Sequence, residues 1–151
     1  GVCGKASIDA ITTKTQFKIQ NKAELKDELL FELKEKLGKQ QSLFSATGGI
    51  HAAALFSESG ELLTLQEDVG RHNALDKLVG DTLRTNQLPL ENKILLLSGR
   101  ASFELIQKAT MAGIGTIVSV GAPSSLAVEL AKENGQTLIG FLKAGSYNLY
   151  A

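Results

Sequence analysis

The sequence predicts an α/β fold, and three observations carry the prediction. Short apolar runs at Ile94–Leu97, Thr116–Val120 and Thr137–Phe141 read as buried strands. Helical patterns from about Ser102 to Met111 and from about Ser124 to Glu133 separate them. Each strand-to-helix joint is small and polar, Ser98-Gly99-Arg100 in one case and Gly121-Ala122-Pro123 in the other. Strands alternating with helices imply a largely parallel sheet with helices packed on it.

The earlier elements follow from the same reasoning. Residues 6–20 carry β-branched residues in alternation and read as one or two short strands. Residues 22–37 predict a helix, because Leu25, Leu29, Leu33 and Leu37 recur every fourth position and Leu30 widens the stripe. Gly38 is a natural stop for it. The other face is Lys and Glu, most simply a solvated surface. Ala53–Phe56 and Leu62–Leu65 flank Glu58-Ser59-Gly60 and predict a hairpin. A helix over roughly 71–85 comes next. No internal repeat, low-complexity tract or second domain is visible.

The bulk numbers bound the class. The 151 residues suit one domain with its own core, and 43% hydrophobic with 21% charged residues is ordinary for a globular protein. A formal net charge of zero argues against general nucleic-acid binding. No apolar run approaches the ~20 residues of a membrane helix. The single cysteine makes no internal disulfide and points to a reducing, cytosolic setting. The chain lacks an initiator methionine, which suggests that Gly1 lies partway through a longer protein.

Four places carry candidate chemistry. Cys3 sits in Gly1-Val2-Cys3-Gly4-Lys5, where glycines leave the backbone permissive and Lys5 favours a thiolate if it faces the sulfur. After Glu67-Asp68-Val69-Gly70-Arg71, a helix with about 100° per residue puts Ala74, Leu75, Leu78 and Val79 on one side. His72, Asn73, Asp76 and Lys77 fall on the other, with His72 and Asp76 as i,i+4 partners. A solvated face with a mild ion pair is the plainer account, and a ligand-contacting face the sharper one. The turns Ser98-Gly99-Arg100-Ala101-Ser102 and Gly121-Ala122-Pro123-Ser124-Ser125 open helices, whose free N–H groups attract phosphate. Helix capping explains either turn alone, but two in one sheet favour a phosphate-bearing ligand. No Walker sequence or GxGxxG is present, so this is not an ordinary ATPase or dinucleotide site. His51, in Thr47-Gly48-Gly49-Ile50-His51-Ala52-Ala53, is either a structural histidine or one that faces a cleft. Cys3, His51 and His72 have no zinc-site spacing.

The segments GVCGKAS, TGGIHAAALF, EDVGRHNALDK, SGRASFELIQKA, GAPSSLAVELA and GFLKAG with a following Asn and Tyr, in that order, closely resemble the formate dehydrogenase accessory sulfurtransferase (FdhD) family. The resemblance covers almost the whole chain. It implies a three-layer α/β/α core around a mixed sheet, similar to cytidine deaminases. It also implies a cytoplasmic sulfurtransferase that takes persulfide sulfur from a cysteine desulfurase and passes it to bis-molybdopterin guanine dinucleotide, the molybdenum cofactor of formate dehydrogenase. A homodimer is a further implication. The family carries the persulfide on a Cys-Gly-x-Cys-Gly loop. Cys3 matches its second cysteine, and the first would immediately precede Gly1. The family's cofactor-binding segment falls on Phe141, Leu142, Lys143, Ala144, Gly145 and Ser146, where Ser146 stands in place of a common basic residue and Lys143 keeps the positive charge. The guanine nucleotide ends would give the turns their ligand. Arg71, His72, Asn73, Lys77, Ser98, Gly99, Arg100, Ser102, Ser124, Ser125 and His51 are candidate contacts by location.

Two other readings compete. A zinc deaminase needs His-x-Glu and a later Pro-Cys-x-x-Cys. Here Ala52 and Ala53 follow His51, and no second cysteine exists. A non-catalytic chaperone that holds and delivers the cofactor needs the Ser98–Ser102 turn, the His72 helix face and the 141–146 segment but not Cys3.

Overall fold

Alternate residues of a strand point to opposite faces of a sheet, and here both faces are apolar. Ala53, Leu55, Leu95, Leu97, Ile117 and Leu138 enter one core. Ala52, Ala54, Phe56, Ile94, Leu96, Val118 and Ile139 enter another. A sheet with two apolar faces must be covered on both, which dictates three layers. The computed structural model describes Ile19 and residues 22–44, 50–85 and 90–151, with 41–44 described by backbone alone.

The order of elements is α1 (Asp27–Phe44), β1 (His51–Phe56), β2 (Leu62–Asp68), α2 (Arg71–Arg84), β3 (Ile94–Leu97), α3 (Phe103–Met111), β4 (Thr116–Ser119), α4 (Ser125–Glu133), β5 (Thr137–Gly140) and β6 (Asn148–Leu149). The sheet runs β2-β1-β3-β4-β5-β6. Helix α1 covers one face with Leu30, Leu33 and Leu37. Helices α2, α3 and α4 cover the other, led by Leu75 and Leu78, Leu105 and Ile106, and Ala127 and Leu130. Each of these leucines contributes about 1.5–3 kcal/mol by leaving water. The three-layer α/β/α arrangement with a mixed sheet is therefore present.

Several expectations need correction. The sheet is less parallel than the alternation of elements implies. Among the described residues only the β3–β4 and β4–β5 pairings are parallel, while β1 pairs antiparallel with both β2 and β3, and β6 antiparallel with β5. The hairpin arms are longer than expected, reaching back to His51 and on to Asp68. Strand β6, only two residues long, had no sequence signal. The strands read at 6–20 lie outside the described residues apart from Ile19, which is in no regular element.

The first helix is displaced as well. It begins at Asp27, not 22, and runs through Gly38 to Phe44. Gly38 has no positive φ and faces solvent, so it is an ordinary helical position that happens to lack a side chain. Burial of Leu30, Leu33 and Leu37 holds the helix on the sheet, and that outweighs the helix-breaking tendency of one glycine.

A methyl group added at Gly38 meets nothing within 4 Å. Gly38→Ala is therefore expected to raise unfolding stability by roughly 0.5–1 kcal/mol, by restricting the unfolded chain and favouring helix. Urea denaturation checks this, and a loss of stability would mean that the helix breaks at Gly38 after all.

Candidate functional site

The carboxyl ends of β3, β4 and β5 lie side by side, and the loops that leave them continue to hydrogen-bond to one another. Gly121 N–H donates to Gly99 O at 3.0 Å, Ala101 N–H to Ala122 O at 3.1 Å, and Ser124 N–H to Ala101 O at 3.0 Å. The third loop joins through Phe141 N–H to Gly121 O and Leu142 N–H to Ser119 O, both 3.2 Å. The sequence-predicted turns 98–102 and 121–125 and the segment 141–146 thus form one continuous edge. This is where open α/β sheets bind ligands.

Gly121 is required for this lacing. A Cβ there would stand 2.9 Å from Gly99 O and 3.0 Å from Arg100 N. Gly99 in turn lies against the His51 ring, with Nδ1 at 3.1 Å from where its Cβ would be. Strand β1 brings His51 to this edge because it runs antiparallel to β3, and Ala52 and Ser98 bond reciprocally. Phe141 has φ 54°, the left-handed region that a bulky residue rarely adopts. It is held there by its own bond to Gly121 and by the fully buried Leu142 beside it. The chain turns a corner at Phe141 and leaves that ring 39% exposed at the edge.

The serines divide by role. Ser102 Oγ accepts from Leu105 N–H at 3.4 Å and Ser124 Oγ from Ala127 N–H at 3.1 Å, so both are helix N-caps. Ser98 Oγ accepts from Ala52 N–H at 2.8 Å and ties β3 to β1. Ser125 is exposed at the start of α4. The amino termini of α2, α3 and α4 all open onto this edge, which carries their partial positive charge. Arg100, Lys143, Ala144, Gly145 and Ser146 are exposed along it.

The polar face of α2 is partly structural. Asp68, which was not singled out from sequence, accepts from Gly70 N–H at 3.0 Å and Asn73 Nδ2 at 3.4 Å, and pairs with Lys77 at 2.7 Å. An acid two residues before a helix-opening glycine is an Asx-type turn, the signal that could have found it. Asn73 and Lys77 are therefore engaged with Asp68. Asp76 does not pair with His72 as the i,i+4 spacing suggested. Its carboxylate meets Lys108 of α3 at 2.8 Å, because the neighbouring helix offers a full cation across a short gap. His72 is half-buried, and that burial, with Lys108 and Arg71 adding to it, lowers its pKa below 6.5. The imidazole is neutral at pH 7 and can donate from one nitrogen and accept at the other. Arg71 Nε is buried without a partner. Cys3, and Thr47 to Gly49 before His51, lie outside the described residues. Among the described residues no three His, Cys, Asp or Glu side chains gather as a metal site, and no helix is long and apolar enough to cross a membrane.

Residues 1–151 match the FdhD/NarQ family. The chain belongs to this family. Among curated FdhD/NarQ relatives, the sulfur carrier protein FdhD of Streptomyces avermitilis is 56% identical over 153 residues, covering 100% of this chain and 54% of the relative. That of Sulfolobus acidocaldarius is 43% identical over 150 residues, covering 99% and 57%. The chain spans about half the length of these FdhD relatives. A crystal structure of a protein assigned as a formate dehydrogenase accessory protein, from Desulfotalea psychrophila, superposes with TM-score 0.77 at 28% identity, over 91% of this chain and 58% of that one. A guanine deaminase from Nitrosomonas europaea superposes with TM-score 0.57 at 10% identity, over 95% and 89%, a likeness of fold alone. The deaminase-like architecture expected for an FdhD protein is thus present.

Two predictions follow from this geometry. Gly121→Ala should cost about 1–3 kcal/mol of stability, because the added methyl overpacks against backbone. Gly145→Ala, which meets nothing within 4 Å, should change stability by less than about 0.5 kcal/mol. Thermal unfolding of both checks the contrast, and equal effects would contradict the lacing. Separately, the Lys77 bond, with Gly70 N–H second, lowers the Asp68 pKa from 3.8 to about 2. The stability Asp68 lends is complete above its unfolded pKa and is lost as pH falls towards about 2. Lys77→Met should move the Asp68 titration midpoint, read by carboxyl NMR, upward from about 2 towards 3.8.

Proposed function

We propose that this chain is the core of a sulfurtransferase that passes persulfide sulfur from a cysteine desulfurase to bis-molybdopterin guanine dinucleotide, in service of formate dehydrogenase. What supports the reading most is the laced edge. Three loops are pinned together by backbone bonds at the carboxyl ends of parallel strands, with helix N-termini at that edge and Arg100 and Lys143 exposed along it. Such an edge suits an anionic, phosphate-bearing cargo. The relatives named sulfur carrier proteins support the sulfur chemistry.

In this reading the cofactor is cargo. Its phosphates lie along turns 98–102 and 121–125 and segment 141–146, with His51 and the neutral His72 offering hydrogen bonds beside them. Cys3 is the sulfur carrier. Its thiolate attacks the outer sulfur of the desulfurase persulfide, forming a new S–S bond and releasing the desulfurase thiolate. A second transfer hands that sulfur to molybdenum. Release as sulfide takes up two electrons, which a thiol reductant supplies, and Cys3 returns to a thiolate. Lys5 would favour the thiolate form needed for the first step. The carrier works in the cytoplasm, where thiols stay reduced, and as a homodimer.

The test is sulfur loading. A form that also carries the cysteine expected just before Gly1 is incubated with a cysteine desulfurase and labelled cysteine, then mapped by mass spectrometry. A reducible one-sulfur increment on the loop is expected, falling to background when Cys3 and that neighbour become alanine. No increment, alongside tight guanine-nucleotide binding, would leave a chaperone that only holds the cofactor.

A further inference from the structure

On β2, Leu65 stands opposite Ala54 and Glu67 opposite Ala52, so both point to the α1 side of the sheet. There they line a cavity of about 690 Å³ with Gln40, Ile50, Asp68 and Val69. Its volume falls within the range of small-molecule sites. Glu67 Oε2 is shut off from solvent and accepts no hydrogen bond. A carboxylate oxygen in that condition is costly unless a donor arrives. Four residues on, Arg71 Nε is also buried and unpartnered. Asp68, between them, does not relieve Arg71, since Gly70, Asn73 and Lys77 already occupy it. The β2–α2 junction therefore holds one unmet acceptor and one unmet donor.

Ionised carboxylates only accept. Set among the apolar walls of Ile50, Leu65 and Val69, the Glu67 carboxylate suits a largely apolar body that presents N–H donors. We propose that Glu67 reads the adjacent ring N–H and 2-amino group that guanine and pterin share. The inference rests on the reading that this end of the sheet binds a pterin- and guanine-bearing cargo, and it names the residue that would give that site its base specificity.

Calorimetric titration of the full chain with GDP, IDP, pterin and lumazine tests it. IDP and lumazine lack the 2-amino group of their partners. The expected result is that GDP over IDP, or pterin over lumazine, binds about tenfold tighter or more, and that Glu67→Gln removes the preference. The pair that shows the preference identifies the ring. If Glu67→Gln folds poorly, the wild-type ratios decide alone. Equal binding of GDP and IDP, and of pterin and lumazine, would overturn the role of Glu67 and leave the cargo reading standing. No binding of any of the four would overturn both.

Discussion

Gly121 donates its N–H to the Gly99 carbonyl, and its missing side chain lets the two backbones meet at that distance. From this contact the carboxyl edge takes its shape. Once Gly99 and Gly121 are joined, Ala101 pairs with Pro123 in a bridge that prolongs the parallel register of β3 and β4 into the turns. The two N-cap serines are then fixed close in space, and α3 and α4 start side by side. Phe141 is drawn in by the carbonyl of the same Gly121, which accounts for a backbone angle that an aromatic residue would otherwise avoid. One glycine thus places three loops.

The electrostatics follow from that placement. Helix N-termini, Arg100 and Lys143 make the edge attractive to anions, but Asp68 and Asp76 remove two nearby lysines from the pool. Lys77 is drawn to Asp68 and Lys108 to Asp76. Both pairs are partly exposed and contribute modestly to stability. Their larger effect is positional, since they tie α2 to the β2 turn and to α3. His72, on the same helix, is kept neutral at pH 7 by burial and by Lys108 and Arg71. Positive charge is thereby concentrated at the turns and withheld from the α2 face.

Much of this was legible because the signals were local. The runs Ile94–Leu97 and Thr116–Ser119 have no polar face to confuse with a surface helix, and Ser102 and Ser124 mark helix starts by their own hydrogen bonds. Strand direction was not legible. An apolar strand reads the same whichever way its neighbour runs, so the antiparallel entry of β1 needed the tertiary pairing. Gly38 misled because propensity is a weak term beside the burial of Leu33 and Leu37. The partners of Asp76 and Lys77 were equally hidden. Spacing along one helix cannot report a better-placed charge on the next element, and in both cases that charge won. Glu67 escaped notice because a charged residue on an edge strand reads as solvated; only the cavity beside it shows otherwise.

The deaminase-like fold does not carry deaminase chemistry with it, and the packing shows why. The position two residues after His51, where a zinc deaminase keeps its glutamate, is Ala53. Ala53 is fully buried in the core beneath α2, while Ala52 is sealed in the core beneath α1. A glutamate at 53 would have to place a carboxylate among Leu75, Leu78 and Leu97, at a cost no neighbouring cation offsets. Strand β1 is therefore committed to being a tightly packed wall, with His51 alone reaching the edge. The strand interior is small and apolar, and the polar groups stand instead on the loops that Gly121 joins.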